Sequence, residues 1–188
     1  MRIITGTARG CKLATLDGDA TRPTPERVKE AVFSSLQFEL QGKRFVDLFS
    51  GSGQMALEAL SRGAKSAVAV DNSAAAAELI KKNAQKCRLY DRCVVLCRGY
   101  AEYLKSAANR EQFDYLYLDP PYAAHLLPEV LCMILKTLIA ADDATFICES
   151  EHADIFDGDS ELASHFKITK QVRYGRVFVT YLKFAEKG

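Results

Sequence analysis

The stretch Val46-Asp47-Leu48-Phe49-Ser50-Gly51-Ser52-Gly53 decides the fold predicted for this chain of 188 residues. The apolar residues at its start predict a buried strand, and helical spacing of apolar residues begins at Gln54. Gly51 and Gly53 let the backbone turn sharply and approach a ligand without a Cβ in the way. The stretch is therefore a strand, a glycine turn and a helix, the unit from which nucleotide-binding α/β folds are built.

A carboxylate follows this unit at the spacing expected of a nucleoside site. Asp71 ends the next apolar run, 20 residues after Gly51, where an acidic side chain typically accepts hydrogen bonds from ribose hydroxyls. A tight turn with an acid there by chance is the alternative, which the strand-turn-helix-strand context disfavours. The cofactor residues predicted on these two turns are Asp47, Phe49, Ser50, Gly51, Ser52, Gly53, Asp71 and Asn72.

The rest of the chain alternates apolar runs with amphipathic helical segments as far as residue 148, and the predicted strands include residues 93–97, 113–118 and 144–148. Such alternation predicts right-handed crossovers and a mainly parallel sheet with helices on both faces. Two β-rich runs around Gly175 predict an antiparallel hairpin that completes a seven-stranded sheet. Ahead of the glycine turn, residues 2–16 predict a short hairpin and residues 25–38 an amphipathic helix with Thr24 as its N-cap. We expect one domain over residues 1–188, with an N-terminal extension at 1–40 and a catalytic core at 41–188.

The tetrapeptide Asp119-Pro120-Pro121-Tyr122 follows the apolar run 113–118. Two prolines end a strand there, because proline lacks an N–H and restricts the residue before it. The segment offers a carboxylate, a carbonyl outside any helix and an aromatic ring, the groups that hold a planar –NH2 group. An ordinary loop is the alternative, since these are common turn residues. We interpret the segment as an amine-methylation site in which Asp119, Pro120 and Tyr122 are catalytic and Pro121 contacts the substrate.

The spacing of the glycines does not separate NAD from S-adenosylmethionine, because both bind at the carboxyl ends of strands. Two features favour S-adenosylmethionine. Asp47 suits an ammonium group and would be unfavourable beside a pyrophosphate. The terminal hairpin together with the tetrapeptide at Asp119 is similar to class I methyltransferases. An NAD-dependent oxidoreductase remains the alternative from a different class.

Charge is distributed unevenly, although the net charge is only +1. Residues 1–44 carry eight Lys/Arg against five Asp/Glu, residues 45–165 carry eleven against eighteen, and residues 166–188 carry six against one. Basic ends on an acidic body suggest a rim that contacts phosphates, although a solvated surface without a partner would carry the same charges.

The six cysteines and three histidines lack the spacing of a metal site. We expect free buried thiols rather than disulfides, and no metal. The start of the chain has no apolar leader, and no stretch is long enough to span a bilayer. We therefore expect a cytoplasmic monomer without membrane contact.

Four segments of the chain are informative together: Arg22-Pro23-Thr24 with Arg27-Val28-Lys29-Glu30-Ala31-Val32-Phe33, Asp47 to Gly53, Leu57-Glu58-Ala59-Leu60-Ser61-Arg62-Gly63-Ala64, and Asp119 to Tyr122. These segments resemble the bacterial 16S rRNA guanine-N2 methyltransferase (RsmD-type) family, and the similarity extends from Arg2 to about Tyr181. In this chain, Gly99-Tyr100-Ala101 stands where the family commonly places an acidic residue near the adenine. We expect Tyr100 or the Ala101 backbone to make that contact instead.

The resemblance implies a class I, Rossmann-like, S-adenosylmethionine-dependent methyltransferase that acts on a guanine of ribosomal RNA, in the small ribosomal subunit or an assembly intermediate. The Asp119 carboxylate and the Pro120 carbonyl would hold the guanine N2 amine, and Tyr122 would stack on the extruded base. DNA adenine and protein glutamine are the alternative methyl acceptors, because similar Pro-Pro-aromatic loops act on them. The residues expected to contact RNA phosphates are Arg2, Arg9, Arg22, Arg27, Arg173 and Arg176.

Overall fold

The computed structural model describes residues 1–16, 25–36, 39–122 and 125–186. Its strands are β1 (Arg44–Asp47), β2 (Ser66–Asp71), β3 (Cys93–Cys97), β4 (Phe113–Leu118), β5 (Ala140–Ser150), β6 (Phe166–Tyr174) and β7 (Val177–Phe184). Its helices are α1 (Glu26–Leu36), α2 (Gln54–Ser61), α3 (Ala74–Lys86), α4 (Tyr100–Ala107), α5 (Leu127–Thr137) and α6 (Ser160–Ser164), with a 3-10 turn at Tyr90–Arg92.

The seven strands form one sheet in the order β3-β2-β1-β4-β5-β7-β6. Strand β2 pairs in parallel with β1 and β3, and β4 pairs in parallel with β5. Strand β7 pairs antiparallel with both β5 and β6. The predicted fold class is therefore confirmed: a Rossmann-like, mainly parallel sheet with a terminal antiparallel hairpin.

The described chain divides into two compact units, residues 1–99 and residues 100–188. The first contains the N-terminal segment, α1 to α3 and β1 to β3. The second contains α4 to α6 and β4 to β7. The single domain expected from the sequence stays a prediction.

Helix α1 lies within the predicted span 25–38 and buries Val28, Val32, Phe33 and Leu36 at helical spacing. The predicted N-cap, Thr24, lies outside the described residues, as do residues 37 and 38. The N-terminal segment pairs with itself as predicted, because Arg2 and Lys12 form an antiparallel bridge. The pairing is too short to count as two strands.

A buried charge cluster attaches this N-terminal segment to α2. The backbone N–H groups of Ile4 and Thr5 donate to the Glu58 carboxylate at 2.8 and 3.0 Å. Lys29 and Arg62 pair with the same carboxylate at 3.6 and 2.7 Å. Burial lowers the pKa of Lys29, and the negative charge of Glu58 opposes that shift. Glu58 thus joins the segment, α1 and α2 at one fully buried point.

The expectation of free thiols is wrong for one pair of cysteines. Cys11 and Cys87 form a disulfide, with Cα atoms 5.9 Å apart, which is an ordinary separation for such a bond. They are 76 residues apart in the chain, so no local pattern could reveal the pairing. The bond joins the N-terminal segment to the C-terminal end of α3. The remaining cysteines are free, and Cys93 and Cys148 are buried.

In the second unit, aromatic side chains fix the terminal hairpin to β5. The ring of Phe146 packs edge-on against Phe166 and Phe184, with centroid distances of 5.3 and 5.2 Å. Strand β5 begins at Ala140, earlier than the predicted Ala144, because pairing with β4 continues past a register shift at Phe113/Tyr115. Across the residues described, no helix is long and apolar enough to cross a membrane.

Candidate active-site elements

The glycine turn of the first unit connects β1 to α2 in the predicted manner. Gly51 and Gly53 have φ values of +52° and +77°, in the left-handed region that favours glycine. The Ser50 N–H donates to the Val70 carbonyl of β2 at 2.9 Å, and the Gly53 N–H donates to the Ser50 carbonyl at 2.7 Å. These bonds hold the turn in a fixed shape at the carboxyl end of the parallel strands.

The two glycines serve different purposes. A Cβ placed on Gly53 would lie 2.8 Å from the Ile80 side chain of α3, so this position requires glycine for packing. A Cβ on Gly51 would meet no atom of the described chain within 4 Å. The open space at Gly51 leaves the backbone of the turn accessible to a ligand, and any side chain there would occupy that space.

Asp71 connects the glycine turn to the start of α3. Its carboxylate accepts hydrogen bonds from the Gly51 N–H at 2.8 Å and the Ser73 N–H at 2.9 Å. Ser73 is the N-cap of α3 and accepts from the Ala76 N–H at 3.3 Å. A carboxylate has about four lone-pair directions, so these two bonds leave Asp71 able to accept from ribose hydroxyls. Asn72, beside it, is exposed.

Asp47 is a buried acid at the end of β1, with 1% of its surface exposed. Its carboxylate accepts from the Phe49 N–H at 3.2 Å, and its carbonyl accepts from the Ser50 hydroxyl at 2.9 Å. Burial, and to a lesser extent the charge of Asp47, raise the pKa of Cys93 to about 12. Asp47 therefore places a buried carboxyl group within the turn, next to Phe49 and Ser50.

The tetrapeptide Asp119-Pro120-Pro121-Tyr122 lies in the second unit, directly after β4. Pro120 is buried, Pro121 is exposed, and Asp119 and Tyr122 are half-buried. The segment forms one wall of a pocket, so the strand does end at the prolines and presents them to a concavity. The pocket is lined by Pro120, Pro121, Tyr122, His125, Leu126, Leu127, Pro128, Glu149, Ser150, Glu151, His152, Asp154, Ile155 and Asp157.

The pocket is also lined by residues from the end of β5 and the loop after it, which sequence reasoning missed. His125 and His152 stack with ring centroids 5.6 Å apart. The Nδ1 atom of His125 lies 3.4 Å from the Asp157 carboxylate. Asp154 accepts from the backbone N–H groups of Phe156 and Gly158, both at 2.9 Å. The sequence did contain one signal for these residues: they follow the carboxyl end of β5, and ligands bind at the carboxyl ends of strands in open α/β sheets.

The predicted adenine contacts, Tyr100 and Ala101, begin α4 in the second unit. The Tyr100 hydroxyl donates to Glu129 of α5 at 3.0 Å. Burial and this hydrogen bond raise the pKa of Tyr100. The adenine contact stays a prediction for both residues.

The predicted phosphate-binding arginines of the N-terminal region lie in different settings. Arg2 pairs with Glu26 at 2.7 Å, which reduces its availability to a phosphate. Arg9 and Arg27 are exposed, on the N-terminal loop and on α1. Arg22 lies outside the described residues.

The β6–β7 hairpin carries the predicted arginines of the C-terminal region. The guanidinium of Arg173 lies 5.2 Å from the centre of the Phe178 ring and donates to the Gly175 carbonyl at 2.9 Å. Arg176 is exposed beside it. Lys167 lies directly opposite Lys183 on the paired strands, an arrangement of like charges that destabilises a sheet unless an anion lies nearby.

Among the described ranges, no group of three or more His, Cys, Asp or Glu side chains could hold a metal ion.

Comparison with known proteins places the chain in a family. The ribosomal RNA small subunit methyltransferase D of Haemophilus influenzae is 33% identical over 153 residues, which cover 80% of this chain and 79% of that protein. The family model described as Conserved hypothetical protein 95 matches residues 1–183. The chain belongs to this RsmD-type family. Its relative of the same name in Escherichia coli is 31% identical over 151 residues, covering 80% of this chain and 75% of that protein.

Solved structures support the same fold for this RsmD-type chain. A structure from Escherichia coli provisionally described as a methyltransferase aligns with a TM-score of 0.85 and 28% identity, covering 98% of this chain and 97% of that one. An RNA methyltransferase from Salinibacter ruber in complex with S-adenosyl-L-homocysteine aligns with a TM-score of 0.68 at 13% identity, covering 88% and 95%. The second likeness shows the fold alone.

Proposed function

We propose that this RsmD-type protein methylates the exocyclic N2 amine of a guanine in 16S ribosomal RNA, with S-adenosylmethionine as the methyl donor. The observation that carries the proposal is the segment Asp119-Pro120-Pro121-Tyr122 at the end of β4, whose last three residues line a pocket. Support comes from the relatives named as small-subunit rRNA methyltransferases. Its substrate is the small ribosomal subunit or an assembly intermediate, and it acts as a cytoplasmic monomer.

The residues of the glycine turn fit the cofactor. The open space at Gly51 admits an adenosine next to the backbone, and Asp71 is able to accept from both ribose hydroxyls. Asp47 supplies a negative charge for the ammonium of the methionine portion. When bound, S-adenosylmethionine supplies a methyl group already activated on a sulfonium. The chain's own task is therefore positioning rather than activation of the donor.

The groups at the end of β4 suit an amine whose lone pair is delocalised into a ring. The Asp119 carboxylate and the Pro120 carbonyl accept the two N–H bonds, which favours a tetrahedral, nucleophilic nitrogen and stabilises the positive charge that develops on it. Tyr122 stacks on the extruded base, a contact worth roughly 1 to 3 kcal/mol in comparable stacks. The proton leaves after attack, when the nitrogen has become acidic, so no strongly shifted base is required.

The exposed arginines supply phosphate contacts that hold the RNA without reading its sequence. Arg9 and Arg27 lie in the first unit, and Arg173 and Arg176 on the β6–β7 hairpin. Arg2 contributes less because of its ion pair with Glu26. Arg22 belongs to the same set by sequence alone.

Transfer of labelled methyl from S-adenosylmethionine tests the proposal. The acceptors compared in parallel are unmethylated small ribosomal subunits, naked small-subunit rRNA, DNA and a protein extract. We expect label in the ribosomal samples, and the ratio between particle and naked RNA shows at which stage of assembly the enzyme acts. Label in DNA or protein, or retention of NADH in place of S-adenosylmethionine, would overturn the proposal.

A further inference from the structure

Glu149 has a buried carboxylate in the wall of the pocket that follows β4. It lies near the end of β5, with 1% of its surface exposed, and lines the same pocket as Pro120 and Tyr122. Burying a carboxylate costs desolvation free energy unless hydrogen-bond donors or a cation pair with it. Its position therefore needs a reason, and none of the chemistry assigned above to Asp119, Pro120 and Tyr122 uses it.

The orientation of Glu149 is fixed by a neighbour on β4. The Tyr117 hydroxyl donates to the Glu149 carboxylate, and the Tyr117 side chain is itself 1% exposed. A rigid buried ring that holds one carboxylate oxygen limits the rotamers open to the acid. The carboxylate is thus positioned in advance of any ligand, as a recognition group needs to be.

The strand register brings Glu149 into line with Asp119. Tyr117 is paired with Ile147 and Leu118 with Cys148 in the parallel ladder of β4 and β5. Continuing this register by one residue sets Asp119 opposite Glu149, on the face that Tyr117 also occupies. Two carboxylates on one face of adjacent strands present acceptors to neighbouring donors of a single planar ligand.

Guanine carries such neighbouring donors. Its N1–H and its N2 amine lie side by side on the Watson–Crick edge, the edge that enzymes read in an extruded base. Adenine and 2-aminopurine have an acceptor at N1, which a carboxylate repels. An acid at the N1 position therefore selects guanine by a hydrogen bond to the right base and by repulsion of the wrong one.

We propose that Glu149 determines specificity in this reaction by accepting the guanine N1–H, while Asp119 and the Pro120 carbonyl hold the N2 amine. Tyr117 is the positioning residue that orients Glu149. The inference rests on the proposed function and names the part of the pocket that distinguishes guanine from other amino-bearing bases.

The variant Glu149→Gln tests this, because it keeps the shape of the side chain and removes its charge. We expect kcat/KM for small ribosomal subunits to fall by about 10- to 100-fold, the size of a lost hydrogen bond to a charged group. Affinity for S-adenosylmethionine and the melting temperature should stay near those of the wild-type protein. The matched control is Glu161→Gln, an exposed acid on α6, which should leave all three unchanged.

Tyr117→Phe is the second variant, since it leaves the carboxylate in place and removes only the donor that orients it. Turnover should fall less than in Glu149→Gln, with KM for the subunits changed more than kcat.

Inhibition by free nucleosides supplies a readout that a merely structural role would not change. The side-chain amide introduced by Glu149→Gln is able to donate to an acceptor at N1. This variant should therefore shift relative inhibition from guanosine toward 2-aminopurine riboside by about tenfold.

Wild-type kcat/KM in Glu149→Gln would overturn the inference. A fall in kcat/KM that is accompanied by weaker S-adenosylmethionine binding and a lower melting temperature would also overturn it. An unchanged ratio of inhibition by guanosine and 2-aminopurine riboside would do the same. Absence of methyl transfer by the wild-type protein would instead overturn the proposed function, so the two failures are distinguishable.

Discussion

At the scale of single residues, Asp119 carries the proposed chemistry. Asp119→Ala removes one of the two acceptors proposed for the amine. We expect turnover on small ribosomal subunits to fall by about 10²- to 10³-fold, as when one preorganised polar group is removed from an active site. Affinity for S-adenosylmethionine, measured by calorimetry, should change little because the glycine turn is untouched. Near-normal turnover would exclude this role, and Asp142→Ala, an exposed acid on β5, is the control.

The glycines of the turn give a second prediction at this scale. Gly51→Ala and Gly175→Ala both place a Cβ at positive φ in open space, so each should cost about 1 to 2 kcal/mol of stability. Only Gly51→Ala should weaken S-adenosylmethionine binding, because only that Cβ enters the ligand space. Gly53→Ala should destabilise more, since its Cβ meets Ile80 at 2.8 Å. Equal affinity of the Gly51 and Gly175 variants for S-adenosylmethionine would contradict the proposal that the glycine turn binds this cofactor.

At the scale of elements, the β6–β7 hairpin is a basic surface at the end of the chain. Strand β6 is an edge strand, and residues 166–184 contain five Lys/Arg and no Asp or Glu. An edge strand rich in cations resists pairing with other strands. The opposition of Lys167 and Lys183 adds repulsion that a polyanion would relieve.

The double variant Arg173→Ala/Arg176→Ala tests this surface. Binding to small-subunit rRNA should weaken, and the slope of log K against log salt should fall by about 1 for each arginine removed that binds a phosphate. Lys105→Ala on α4, an exposed cation away from the hairpin sequence, is the control. An unchanged salt slope in the double variant would remove the hairpin from the RNA interface.

The helices and strands could be predicted because the spacing of their apolar residues involves only residues close together in the sequence. Strands β3 and β4 have the predicted bounds, since each apolar run ends at a turn residue or proline. The early start of β5 was missed because Asp142 and Asp143 interrupt its apolar pattern. The sequence could not show that Glu58 is fully buried on α2, because its partners come from the distant N-terminal segment and α1.

For the candidate site too, the local motifs could be predicted from the sequence and the contacts between distant residues could not. The glycine turn and the tetrapeptide at Asp119 are continuous in sequence and have conformations that glycine and proline impose. The second wall of the pocket, with Glu149 and the stacked His125 and His152, is formed by residues about 25 positions apart. Contacts of that kind depend on strand register, which periodicity does not fix at the level of single side chains.

At the scale of the whole molecule, the Cys11–Cys87 disulfide closes a long segment of the first unit. A bond across 76 residues restricts the unfolded chain, an effect worth at most about 4.5 kcal/mol. We expect dithiothreitol to lower the melting temperature of the protein, and Cys87→Ser to lower it without further response to the reductant. Cys132→Ser should retain the response. A melting temperature unaffected by reduction would show that the bond contributes no stability.

Each unit carries one half of the proposed reaction. The first holds the glycine turn with Asp47 and Asp71, and the second holds the pocket and the tetrapeptide that we propose binds the amine. The named members of the family are the basis for the proposed substrate class, and the residues at the end of β4 are the basis for the proposed atom. The central claim is therefore that methyl transfer ends on the N2 nitrogen of guanine.

Mass-spectrometric identification of the methylated nucleoside tests that claim most directly. Unmethylated small ribosomal subunits are incubated with the protein and S-adenosylmethionine, and the rRNA is then digested to nucleosides. We predict N2-methylguanosine as the new product, formed about 10²- to 10³-fold more slowly when Asp119→Ala replaces the wild-type protein. A methyl group on adenine, on a ring nitrogen of guanine or on a ribose hydroxyl would contradict the claim.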